Sequence, residues 1–108
     1  MMNKIIWNIK QKWQKLTRGY SDEELWNLDY HLSRWIIQRL KTFKEQAVGF
    51  PPDLNSKKEW EDIIEKIIIA FELYISYIPD TPEQASKEGK QIREGLELFS
   101  KYFNNLWM

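Results

Sequence analysis

SDEELWNLDYHLSRWIIQRLKTFKEQA, residues 21–47, decides the fold. Its opening, Ser21-Asp22-Glu23-Glu24, is a capping box: the Ser oxygen is placed for the Glu24 amide, the Glu24 carboxylate for the Ser21 amide, and three acids sit at the positive end of a helix. No Pro or Gly follows before Ala47, so the spacing predicts one uninterrupted helix over 22–47. At 100° per residue, Leu25, Leu28, Leu32, Trp35, Ile36, Leu40, Phe43 and Ala47 share a face that Trp26, Tyr30 and Ile37 widen beyond half the circumference. So wide an apolar face predicts the central helix of a bundle.

The flanking segments repeat the period. Upstream, Met2, Ile5, Ile6, Ile9, Trp13, Leu16 and Tyr20 form one stripe, with Lys4, Lys12, Lys15 and Arg18 mostly on the other side and Gly19 as the stop. Trp7 falls off this stripe, either exposed or packed against another chain. Downstream, Gly49, Pro51 and Pro52 make a stiff connector. Ser56 and Glu59 then open a helix carrying Trp60, Ile63, Ile64, Ile67, Ile68, Phe71, Tyr74, Ile75 and Ile78, ended by Pro79, with Ile69 and Leu73 on its far side. Thr81-Pro82-Glu83-Gln84 caps a last helix whose apolar face is Ala85, Gly89, Ile92, Leu96, Phe99, Phe103 and Leu106; Gly89 on that face suits the close approach of a neighbouring backbone.

The fold class expected is all-α: a single-domain bundle over residues 1–108, with a basic amphipathic helix in 1–20 and a three-helix core in 21–108. Its helices lie near 3–18, 22–47, 57–78 and 82–105.

Composition bounds the chemistry. Of 108 residues none is Cys and one is His, which excludes disulfide frameworks, thiolate zinc sites, cysteine nucleophiles and histidine clusters. Sixteen basic and sixteen acidic residues cancel, but unevenly: residues 1–20 carry +5 with no acid, 51–80 carry −4, 21–50 carry −1 and 81–108 balance. The basic helix could lie on an anionic membrane or grip phosphates; packing against the acidic third helix is the more economical expectation. A neutral chain without a recognition helix and turn is not expected to bind duplex DNA. No apolar run approaches the roughly 20 residues of a transmembrane helix, and no export signal is evident, so a cytoplasmic location is expected.

Asp29 falls mid-face among Leu25, Leu28, Leu32 and Ile36, where a lone carboxylate is costly and calls for a partner; Arg93 or an arginine of another subunit is better placed than Arg39, ten residues along the same helix. His31 falls on the polar side. The pairs Asp62/Glu65 and Glu94/Glu97 have the spacing of magnesium-binding carboxylates in all-α nucleotide pyrophosphatases, but both project from polar sides and read as solvated. No metal ligand, cofactor or catalytic residue is assigned. Trp7, Trp26, Tyr30, Tyr77 and Trp107 would leave aromatic surface on a monomer, which with Ile69 and Leu73 points to a homo-oligomer interface, or to stacking on a ligand.

Residues Arg18-Gly19-Tyr20-Ser21-Asp22-Glu23-Glu24-Leu25-Trp26-Asn27-Leu28-Asp29, then Arg39-Leu40-Lys41, a Pro-containing loop and Glu59-Trp60, resemble small helical proteins of tailed bacteriophages and prophages. The likeness covers roughly residues 18–75 and implies an accessory protein without enzymatic activity, of a kind that often counters host defence. On this basis a non-catalytic sponge for an anionic nucleotide is expected, with Trp26 and Tyr30 stacking a base and Asp29 and Arg39 as polar contacts. The alternatives are a module that inhibits a host protein through Ile69 and Leu73, and a carboxylate-metal nucleotide hydrolase.

Overall fold

The computed structural model describes residues 2–107, without the side chain of Met2, so that part of the first stripe lies outside the described residues. All regular structure among them is helical: α1 (Met2–Arg18), α2 (Asp22–Trp26), α3 (Leu28–Gln46), α4 (Lys57–Ile75), α5 (Pro82–Tyr102) and a closing 3-10 turn (Phe103–Asn105). The chain forms two compact units, one ending at Leu32 and the other beginning at Ser33.

In the N-terminal unit, α1 stops where Gly19 takes φ +88°, a left-handed conformation that costs glycine nothing, and its N–H returns to the Lys15 carbonyl at 3.0 Å. The capping box at Ser21 forms, the Ser21 N–H donating to Glu24 Oε2 at 2.7 Å. The helix it starts is not the long one expected. It breaks after one turn at Asn27 (φ −128°, ψ 54°), and α3 begins afresh at Leu28.

Five residues are far too few for an independent helix. What holds α2 is α1, whose polar side caps its free amides. Gln14 Oε1 accepts from the Asp22 N–H at 2.8 Å, and Gln11 Oε1 from the Glu23 N–H at 2.9 Å. Gln14 Nε2 and Arg18 Nη2 donate to the Asp22 carboxylate at 2.8 and 2.7 Å. These bonds tie the residues after 20 to α1, so the unit boundary falls at Leu32 and not at residue 20.

They also make the unit acid-sensitive. Hydrogen bonds from Gln14 and Arg18 hold the Asp22 carboxyl below its ordinary 3.8, and the Ser21 N–H holds Glu24 below 4.5. Because both values are depressed on folding, the stabilisation is complete above the ordinary values and is lost as pH falls below them, through the folded values. Acid titration followed by the amide resonances of Asp22 and Glu23 is expected to show this unit loosening in that window, and Asp22→Asn to remove much of the transition.

In the C-terminal unit the central helix is α4, not the one containing Leu25 to Phe43. Trp60, Ile64, Ile67, Ile68, Ala70 and Phe71 of α4 are buried, with Ile37 and Leu40 of α3 on one side and Tyr102 of α5 on another. Lys41–Glu72 (3.2 Å) and Lys44–Glu65 (2.6 Å) set α3 antiparallel to α4, and Lys66–Glu94 (3.2 Å) ties α4 to α5. The side-chain oxygens of Ser56 and Thr81 accept from the Glu59 and Gln84 amides as the sequence predicts. α4 ends at Ile75, short of Pro79, with Ser76 as its C-cap, whose N–H and hydroxyl both donate to the Glu72 carbonyl.

Two faces are rotated from expectation. α3 buries Ser33, Ile37 and Leu40 and leaves Leu32 and Trp35 exposed; α5 turns Gly95 and Tyr102 inward and leaves Leu96 and Phe103 outward. The close approach of backbones occurs at Gly95 against Ala70, not at Gly89.

Candidate functional site

The break at Asn27 changes what Asp29 is. It lies in the first turn of α3, where a carboxylate is favoured by the helix dipole, and it is exposed, so the burial penalty that called for an arginine does not arise. Trp26 stacks on Trp7, with ring centroids 6.0 Å apart and planes at 28°; Trp7 thus packs within the chain. Tyr30 meets the His31 ring edge-on at 5.5 Å. Arg39, in the other unit, lays its guanidinium 3.9 Å over the Trp35 ring and donates to the Trp35 carbonyl at 3.0 Å. Trp26, Asp29 and Tyr30 are therefore neighbours around one helix junction, whereas Arg39 is engaged with its own helix.

The carboxylate pairs do not converge. Asp62 pairs with Lys58, Glu65 with Lys44 and Glu94 with Lys66, and no group of three or more metal-ligating side chains forms among the described residues. Ile69 is at the margin of exposure and Leu73 half-buried, so the patch they make is small. In the C-terminal unit, Phe50, Pro51, Pro52, Trp60 and Trp107 line a cleft of about 210 Å³, smaller than the cavities that enclose a nucleotide.

The feature that stands out is the orientation of α1. Its polar and off-stripe residues, Trp7, Gln11, Gln14 and Arg18, recur once per turn and make the ring stack and the hydrogen bonds to α2. At 100° per residue the stripe of Ile5, Ile6, Ile9, Trp13 and Leu16 lies opposite them, and these five side chains are 57–81% exposed. Within the N-terminal unit nothing covers this stripe among the described residues. Leu25, Leu28 and Leu32 add exposed apolar side chains to the same unit.

Sequence periodicity identified this stripe correctly but carried no signal that it would face outward. The missed signal is the pair Gln11 and Gln14, amides one turn apart on the polar side that are positioned to cap a following helix.

Covering such side chains returns on the order of 1 kcal/mol or more each, whereas an exposed ion pair such as Lys58–Asp62 contributes at most about 1 kcal/mol. No described helix is long and apolar enough to cross a membrane. Comparison with protein-family models, curated proteins and solved structures finds no match for this chain.

Proposed function

We propose that the chain is a non-catalytic binding protein that docks through the outward stripe of α1, and, on the resemblance of residues 18–75, that its role is that of a phage or prophage accessory protein. The observation that carries the docking role is the opposition just described: hydrogen bonds from Gln11 and Gln14 hold the polar side of α1 against α2, which keeps Ile5, Ile9, Trp13 and Leu16 presented to a partner. Turning the stripe inward would leave the Asp22 and Glu23 amides without their acceptors. Nucleotide capture is less well supported, because Trp26 already stacks on Trp7 and the Arg39 guanidinium already lies over Trp35.

The absence of cysteine supplies the test. With single reporters Ile9→Cys and Leu16→Cys, dilute protein is expected to react with a thiol reagent within about threefold of the rate of the urea-unfolded chain, whereas Ile37→Cys in the core is slowed by roughly a hundredfold or more. Slow labelling of both stripe reporters would mean that the chain covers the stripe itself, and the docking role would fail.

A further inference from the structure

Resting on that docking role, we infer that the occupant of the α1 stripe is an anionic membrane surface, with α1 lying in the headgroup plane. Charge is the first argument. α1 carries Lys4, Lys10, Lys12, Lys15 and Arg18 and no acid; Arg18 is taken up by Asp22, but Lys10 and Lys12 border the stripe, so a second copy pairing stripe to stripe would bring like charges together, whereas an anionic leaflet is complementary.

Placement is the second. At 100° per residue, Lys10 and Lys12 flank the stripe on opposite sides, where their long stems can reach headgroup phosphates while Ile5, Ile9 and Leu16 enter the acyl boundary. Lys4 and Lys12 make no ion pair among the described residues, and Lys10 holds Asp22 only loosely, at 3.8 Å. Trp13, 64% exposed within the stripe, is a residue type suited to the interface, apolar in body with one polar N–H. The helix spans about 25 Å, and its apolar width is one stripe, which fits a helix lying on a bilayer and not one crossing it. Nucleic acid is a poorer fit, since a row of isoleucines and leucines offers a phosphate backbone nothing.

The test is flotation of the full chain with large unilamellar vesicles of phosphatidylcholine with and without phosphatidylglycerol. Binding is expected to the anionic vesicles, at least about tenfold weaker to phosphatidylcholine alone, and weakened by added salt. Ile9→Asp with Leu16→Asp is expected to abolish it. Lys10→Gln with Lys12→Gln, which leaves the stripe intact, is expected to weaken it by about tenfold or more. Retention of the Trp7–Trp26 stack, read by near-ultraviolet circular dichroism, shows that each variant is folded.

Failure of the unaltered chain to float with anionic vesicles, or flotation unchanged in the stripe variant, overturns the proposal. The Leu16→Cys reporter separates the two failures. Fast labelling that anionic vesicles do not slow removes the lipid and leaves the docking role standing; labelling slowed by raising protein concentration, and not by vesicles, makes a second copy the occupant. Labelling already slow in dilute protein without vesicles removes both.

Discussion

Gly95→Ala is expected to destabilise the C-terminal unit by about 1–3 kcal/mol, although alanine is intrinsically the better helix former by about 1 kcal/mol. A Cβ at Gly95 would collide with the Ala70 Cβ and stand 2.7 Å from the Lys66 carbonyl oxygen. The carbonyl is backbone in the middle of α4 and Ala70 is fully buried, so neither can move aside as a flexible side chain would. The helices must separate, and separation loosens the contacts of Phe71 with Phe99 (5.4 Å) and of Trp60 with Tyr102 (5.4 Å).

Gly89→Ala in the same helix is expected to go the other way. Its Cβ would meet nothing closer than Arg93 Nη1 at 3.7 Å, an ordinary contact, so the propensity gain of about 0.5–1 kcal/mol is kept. Urea denaturation of the two variants beside the parent chain checks both signs. A Gly95→Ala protein as stable as the parent would show that α4 and α5 do not touch there.

Trp60→Ala is expected to be the most damaging single truncation, costing about 3–5 kcal/mol. The Trp60 side chain is 2% exposed and stands at the junction of three segments. It meets Phe43 of α3 edge-on at 6.4 Å and Tyr102 of α5 at 5.4 Å, and it lines the cleft beside Pro51 and Pro52. Removing the indole leaves Tyr102 held mainly by its bond to Asp53, the hydroxyl donating to Oδ2 at 2.8 Å. A unit of this size has a total stability on the order of 5–10 kcal/mol, so the loss consumes much of it, and a fall in Tm of roughly 15 °C or more is expected. Trp60→Phe, which keeps an aromatic contact with both neighbours, is expected to recover more than half. A truncation that shifted Tm by only a few degrees would show that α3, α4 and α5 are joined elsewhere.

Both effects depend on information that a linear reading carries only in part. The starts of α4 and α5 were legible because Ser56 and Thr81 act on amides three residues away, within the same turn. The end of α1 at Gly19 was legible for the same reason. The stop at Asn27 was not, because the sequence from Asp22 to Ala47 contains no breaker and the helical period continues through it. What holds the one-turn α2 ahead of the break is the set of acceptors and donors that Gln11, Gln14 and Arg18 supply from another helix. The setting of Asp29 follows from this break: the new helix start makes it an exposed first-turn carboxylate and not the buried charge that the helical period predicts. Gly89 and Gly95 pose the same problem, since only the position of Ala70 distinguishes them.

By itself, then, the sequence determined that this chain is helical, that α1 carries basic residues and no acid, and which residues of α1 form one apolar stripe, because period and charge are properties of a single segment. Only the tertiary structure decided which way that stripe faces. Orientation is set by competition between burying apolar surface and satisfying backbone amides, and here the amides of Asp22 and Glu23 hold the polar side of α1 against α2, leaving the stripe from Ile5 to Leu16 exposed.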